Sequence, residues 1–421
     1  MTGRKAEVRG GFTAKARGLA LALAVLVLLP VTACGTLDPG SRTRARALAA
    51  DQPFTHPGVL VGKAQLDAVR KKVTAGKQPW LSAYLDMRDS RYGSYKYRAR
   101  PVADVSCPAG GGPGTGCAEE RADAVAAYTQ ALLFTVTGKR QHAAKAAEIM
   151  DAWSARLKRH SGAGAALQAG QSGGLWARAA EIVRHTPGAH WPKDRVHRFE
   201  SMLRTAHLPH VTASAPADEG GRALVTTAAA LSLAVFLDDH RTFDAALVRF
   251  RDRVPAVFYL RRDGPLPRTP AGAAARTDDQ LRASWSRPRT FQDGLTQETC
   301  RSSAQVGHAI AATAHAAETA WHQGVDLYGD AADRLRAALA LHTPQGKGGP
   351  APARLCGGDV ERNPDPGPEV AGLEVALNHL ENRLGTPVPA AHRLATASRP
   401  AGTDGLLVAW ETLTHAGNPG E

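Results

Sequence analysis

Residues 295–308 read LTQETCRSSAQVGH and bring Gln297, Glu298, Arg301, Gln305 and His308 together in a chain otherwise rich in alanine and glycine. A guanidinium and an imidazole this close suit one joint task. Arg301 can hold an anionic group while His308 moves a proton, with Gln305 between them to orient what is bound. Arg301, His308, His315 and His322 recur every seven residues, and a straight helix drifts only about 20° per heptad, so the four would form one stripe. At 1.5 Å per residue Arg301 and His308 would stand about 10 Å apart along it, while His322 would lie about 30 Å from Arg301. His315 and His322 therefore read as structural. Taken alone, an imidazole packed on alanines is the plainer account of His308, and a helix-start charge near the dipole's positive end is the plainer account of Glu298.

What must position these residues is helix. The hydrophobic share is 43% and the aromatic share only 5%, a composition that favours many helices packed through small side chains over a β-sandwich. RADAVAAYTQALLFTVTG ends on Gly138, a C-cap signal, and QHAAKAAEIMDAWSARL follows at once with Ile149, Met150, Trp153 and Leu157 on one face. Three more pairs follow: LWARAAEIVRH with KDRVHRFESMLRTAH, ALVTTAAALSLAVFL with RTFDAALVRFRDRV, and SSAQVGHAIAATAHAAETAWHQ with GDAADRLRAALALH. PEVAGLEVALNHLENRLG opens a fifth. Each hairpin buries one face and needs a neighbour, so the run stacks into a solenoid or closes into a toroid. The stretches from Asp263 to Arg289 and from Thr343 to Pro368 read as long loops of the kind that often carry function.

The N-terminus reads as an export signal. Arg4, Lys5, Arg9, Lys15 and Arg17 precede the apolar run from Leu19 to Leu29, too short for a comfortable membrane span. VTAC follows, in which Cys34 resembles the lipid-modified cysteine of bacterial lipoproteins. The expected organisation is a signal peptide over 1–33, a polar tether over 34–53 and one domain over 54–417, held on the outer cell surface or in the periplasm by an N-terminal lipid anchor. Losing residues 1–33 lowers the net charge from +13 to +9. An exported basic chain meets acidic polysaccharide or a membrane surface rather than nucleic acid. Cys107, Cys117, Cys300 and Cys356 remain, an even count that suggests two disulfides. Pairing Cys107 with Cys117 would staple a glycine-rich loop and leave Cys300 with Cys356. A zinc site at Cys300 and Cys356 is the competing use, without a supporting C-x-x-C or H-E-x-x-H spacing.

Several strings together resemble the alginate lyase family of polysaccharide lyases: HPGVLVGKAQLDAVRKKVTAGKQPW, AAEIVRHT, VFLDDHRTFDAALVRFRDRVPAVFYLRRDGPLP, FQDGLTQETCR, QGVDLYGDAADRLRAALALHT and LVAWETLTHAG. The likeness runs from about His56 to Gly417. It implies an all-α fold, an α/α toroid forming an incomplete barrel of helical hairpins, and a cleft that takes an acidic polysaccharide such as alginate or glucuronan. It also implies β-elimination: the hexuronate carboxylate is neutralised, the C5 proton is removed and the leaving O4 is protonated. No metal or other cofactor is called for. Arg301 matches the arginine of the family's string as the carboxylate-binding residue, and His308 stands where the proton-shuttling tyrosine is expected. Ser302 and Gln305 depart from the pattern. EGGRALV occupies the place of an asparagine followed by an aromatic or histidine, giving Gly221 and Arg222. The resemblance thus implies Arg301 and His308 as catalytic residues, with Arg222, Gln305, Glu298 and Tyr259 around the substrate. Two other functions suit the same chain: a non-catalytic carbohydrate-binding lipoprotein on this toroid, and a helical surface scaffold for a protein partner.

Overall fold

Helical hairpins dominate the architecture. The computed structural model describes residues 52–109, 114–213, 216, 219–273, 277–343, 355–356 and 372–418. The expected signal segment, the Cys34 lipidation site and most of the tether lie outside the described residues. The helices, in order, are α1 (Lys63–Thr74), α2 (Trp80–Asp89), α3 (Cys117–Thr137), α4 (Arg140–Arg156), α5 (Ala165–His185), α6 (Lys193–Met202), α7 (Leu208–Thr212), α8 (Gly220–Phe236), α9 (His240–Val257), α10 (Asp278–Ser284), α11 (Ser303–His322), α12 (Tyr328–His342), α13 (Leu373–Leu377), α14 (Pro389–Ser398) and α15 (Glu411–His415). Two three-residue strands, β1 (Asp104–Ser106) and β2 (Arg159–Ser161), pair in parallel with Val105 opposite His160. Among the described residues no helix is long and apolar enough to cross a membrane.

The hairpins arrange themselves as an α/α toroid. α3, α5, α8, α11 and α13 pack side by side in that order and make the inner layer, while α4, α9 and α12 cover α3, α8 and α11 from outside. α15 and α1 stand between α13 and α3. The division follows from composition. The inner helices are buried nearly all round and rich in alanine, which lets neighbouring backbones approach closely, whereas α4 and α9 are buried on one face. Trp153, Trp176, Phe199, Phe236, Phe243 and Phe250 fill the space between layers and are almost wholly removed from solvent.

Side-chain contacts show that the inner helices start at the same end. Arg121 on the first turns of α3 meets Gln168 on the first turn of α5, and the first residues of α8 meet Gln297 and Glu298 just before α11. Both disulfides sit at these openings: Cys107–Cys117 at the start of α3, with Cα atoms 6.0 Å apart, and Cys300–Cys356 just before α11, with Cα atoms 5.5 Å apart. Cys300 and Cys356 are thereby unavailable to zinc as thiolates. The tyrosines of RYGSYKYRAR serve packing: Tyr92 is buried, and Tyr97 donates its hydroxyl to Asp123 on α3.

Candidate active site

The string before α11 is held against α8 by two side chains. Gly220 N–H donates to Gln297 Oε1 at 2.9 Å and Gly221 N–H to Glu298 Oε1 at 3.2 Å, so residues 297–298 satisfy donors that a helix start leaves open. The approach is so close that a Cβ on Gly220 would lie 2.2 Å from Gln297 Oε1, and one on Gly221 3.2 Å from Glu298 Oε1. A side chain at 220 would thus force the Gln297 amide and Val257 to shift, and one at 221 would crowd the Glu298 carboxylate. Arg222 follows on the same turn and pairs with Glu219 at 2.6 Å.

Arg301 belongs to the turn that precedes the helix, because α11 begins at Ser303. The heptad stripe expected from sequence thus loses its first member. The Arg301 guanidinium donates to Ser286 Oγ at 3.1 Å and Ser284 O at 2.8 Å, and lies 3.7 Å from Glu298 Oε2. The loop around α10 therefore reaches over the site, and the side chain remains one-third exposed. Glu298 itself is buried and works as a joint between Gly221 and Arg301, an orienter rather than a substrate ligand.

His308 lies on the second turn of α11 and faces a residue far away in sequence. Its Nε2 is 3.4 Å from Asp404 Oδ2, with the imidazole 17% exposed. Asp404 Oδ1 accepts the backbone N–H groups of Leu406, Leu407 and Val408 at 2.8, 3.0 and 2.9 Å. Burial opposes ionisation of Asp404, but His308 and these N–H donors outweigh it and hold the carboxyl below its ordinary value. An ionised carboxylate fixed by its own turn and aimed at an imidazole is an arrangement that orients a proton-transferring histidine.

Beneath this pair the interior is polar and ordered. Arg178 on α5 donates to Leu407 O and to His315 Nδ1, both at 2.9 Å, and His315 Nε2 stands 2.5 Å from Glu411 Oε1. Burial and Arg178 hold His315 well below its ordinary pKa, and burial pushes the Glu411 carboxyl up to about 7. His315 is thus a neutral structural link. His322 lies near Leu60 O and Glu318 and is structural too.

Arg121 was not singled out from sequence. Its Nη1 donates to Gln168 Oε1, and Gln168 Nε2 donates to Glu120 Oε2 at 2.7 Å. Glu120 also meets His160 Nε2 and His207 Nε2, each at 2.9 Å, and burial notwithstanding it is held well below the ordinary carboxylate range by these imidazoles. Burial lowers the Arg121 pKa while the charges of Glu120, Asp404 and Glu119 act against that. Among the described residues no carboxylate forms a direct ion pair with it, so a half-buried guanidinium is left for an anion from outside. The signal was present: in a helix otherwise buried all round, arginine in the first turns must have a polar reason.

The remaining candidates divide. Gln305 is exposed on the first turn of α11, beside the site. Tyr259 is corrected: it is buried in a small separate cluster with Trp285, Leu295, Leu341 and Leu355, and donates its hydroxyl to Gly264 O at 2.7 Å. Its aromatic ring is more useful there as packing than on a cleft rim. The openings of α3, α8 and α11 thus carry Arg121, Arg222, Arg301 and His308 with its partner Asp404, with Arg222 paired to Glu219 and Arg301 standing near Glu298. Such a set of side chains can hold an anionic group and pass a proton.

The family model described as alginate lyase matches residues 116–353. Among solved structures the chain resembles alginate lyase A1-III from Sphingomonas species A1, at 15% identity and a TM-score of 0.59, over 87% of this chain and 98% of that one. It resembles a variant of alginate lyase A1-III complexed with a tetrasaccharide at 14% identity, 87% and 97% coverage and a TM-score of 0.56. An alginate lyase from Bacteroides ovatus aligns at 12% identity, 86% and 99% coverage and a TM-score of 0.53. No curated protein matches the chain.

Proposed function

Because the chain belongs to the alginate lyase family, we propose that it is a polysaccharide lyase that cleaves a uronate-containing polymer such as alginate or glucuronan by β-elimination at the openings of its inner helices. The observation that carries this reading is the contact of His308 with Asp404 at 3.4 Å, in a site otherwise dominated by arginines. Arg121 and Arg301 receive the uronate carboxylate, with Arg222 and Gln305 orienting neighbouring sugars. Neutralising that carboxylate stabilises the charge that develops when the C5 proton leaves. His308 withdraws the proton; the C5–H electron pair becomes the C4–C5 double bond, the C4–O4 bond breaks, and the proton is delivered to the departing O4. Asp404 holds the imidazole in place during both transfers. Glu298 and Gln168 act one step back, as orienters of Arg301 and Arg121.

The likeness to a lyase structure solved with a tetrasaccharide supports an oligosaccharide-sized cleft. Export and attachment through a lipid on Cys34 complete the reading and put the site where polymeric substrate is found. Purified protein incubated with alginate, glucuronan and other polyuronates should develop the ultraviolet absorbance of an unsaturated uronate. Binding of a uronate oligomer with no absorbance from any polymer would select the non-catalytic alternative, which Gly221 and Arg222 in place of the family's asparagine and its aromatic or histidine neighbour favour. Cys34→Ser should release the chain from the membrane fraction.

A further inference from the structure

Among the described residues two groups of side chains outside the cleft carry donor sets that suit a metal ion: Glu120, His160 and His207, and separately His56, Glu181 and His185. The first is already closed. Its three members are buried, and the two Glu120 oxygens face N–H groups from His160, His207, Gln168 and Trp176. The second differs in keeping a ligand nitrogen without a hydrogen-bond partner among the described residues, that of His185, although Glu181 Oε2 also accepts the Gly58 N–H at 3.0 Å. Its three ligand atoms lie within 4.8 Å of one another. Glu181 and His185 stand four apart on the last turns of α5, so they share a helix face. His56 arrives from the segment before α1, where Gln323 at the end of α11 binds Thr55 and Gly58.

His56 Nδ1 lies 3.0 Å from both Glu181 oxygens, and His185 Nε2 lies 3.6 Å from Glu181 Oε1. That nitrogen of His185 is shut off from solvent and has no hydrogen-bond partner among the described residues. On the other side of the His56 ring, Nε2 stands 3.2 Å from Asp238 Oδ1, and Asp238 holds a left-handed backbone at φ 53°.

We propose that His56 Nδ1, Glu181 and His185 Nε2 bind one divalent transition-metal ion of the zinc type, with Asp238 accepting the Nε2 proton of His56. Two nitrogens and a carboxylate are a common zinc donor set. Ligands at about 2.0–2.1 Å in tetrahedral array stand about 3.3 Å from one another, and the separations of 3.0 and 3.6 Å bracket that value. As it stands His56 Nδ1 donates to the Glu181 carboxylate; the ion takes the place of that proton, and the bond to Asp238 then holds the proton on Nε2, the outer-sphere arrangement that metal-binding histidines use. Both imidazoles are partly exposed, but the His185 nitrogen that would bind the ion is shut off from solvent, so entry requires a ring to turn. The rings now stack 4.1 Å apart and nearly parallel. Lone pairs in parallel planes do not converge on one point, so the ion must tilt one ring against the other. The site lies about 20 Å along α5 from Gln168 and clamps the segment before α1 to the inner layer, without part in the elimination.

The test is titration of the tag-free, chelator-treated full chain with Co²⁺ as a visible-absorbing probe. A ligand-field band saturating at one equivalent and displaced by Zn²⁺ is expected. His185→Ala should weaken binding by about 100-fold or more, and Asp238→Asn, which keeps size and shape, by about 10- to 100-fold. Absence of a saturable band, or a band that both variants leave unchanged, overturns the proposal; the latter outcome places the ion elsewhere. Since the Asp238 variant alters no ligand, folding failure of the His185 variant does not shelter the idea.

Discussion

Replacing Asp404 by asparagine separates orientation of His308 from every other role of that residue. The amide oxygen can still accept the N–H groups of Leu406, Leu407 and Val408, so the turn survives. What is lost is the negative oxygen facing His308. Two unit charges 3.4 Å apart interact by about 5 kcal/mol at an effective dielectric of about 20. Neither His308 Nε2 nor Asp404 Oδ2 is in a well-aligned hydrogen bond, which argues for about half of that in the transition state, 2–3 kcal/mol. The expected result is a fall in kcat of about 30- to 150-fold. KM should stay within about threefold, because Asp404 touches no substrate. The assay is unsaturated-uronate absorbance under saturating polymer, with a thermal melt beside it. The double variant Asp404→Asn with His308→Ala should lose little more than His308→Ala alone, since both act through one imidazole. A kcat unchanged within threefold, or losses that simply multiply in the double variant, would falsify the pairing.

Arg121→Gln should raise KM by about 10- to 100-fold with a smaller effect on kcat, the worth of one charge-assisted hydrogen bond; a KM within threefold of wild type would remove Arg121 from the substrate. Arg383→Met should cost about 3–5 kcal/mol in a urea melt, because buried Glu318 accepts from Arg383 at 2.7 and 2.8 Å and would keep an uncompensated charge. The same pair sets an acid limit. Glu318 is depressed to about 2, chiefly by Arg383 against the opposing effect of burial, so its contribution is fully present above about pH 4.5 and is lost as pH falls toward 2; a urea midpoint flat across that window would contradict it. Cys300→Ser with Cys356→Ser removes a link closing 56 residues and should lower stability by up to about 4 kcal/mol. Since Arg301 adjoins Cys300, its KM should rise as well, and an unchanged KM would show that the turn holds Arg301 unaided.

The hairpins were legible because their apolar positions repeat at helical spacing and glycine or proline marks the turns. α5 was read from Leu175, yet it starts at Ala165. Gly170, Gly173 and Gly174 argue against helix by propensity, but Gly170 lies against Val225 and Thr226 of α8, and Gly173 against His207 and Leu233. Close packing there outweighs the glycine penalty of about 1 kcal/mol each. Both disulfides were legible from cysteine number and loop composition. Half of the site was not. Asp404 meets His308 across 96 residues and Arg121 meets Gln168 across 47, and no local pattern encodes such a meeting. Arg301, chosen as a site residue, was wrongly put on the helix, since a turn bonded from Arg301 N–H to Glu298 O delays the helix start.

The fit of Gly220 and Gly221 against Gln297 and Glu298 also bears on how this site can be redesigned. A side chain introduced at Gly221 would come within 3.2 Å of Glu298 Oε1 and press on the carboxylate that stands beside Arg301, before it could offer anything to a sugar. Positions 221 and 298 therefore behave as one designable unit, in which a larger residue at the first asks for a shorter or reoriented one at the second.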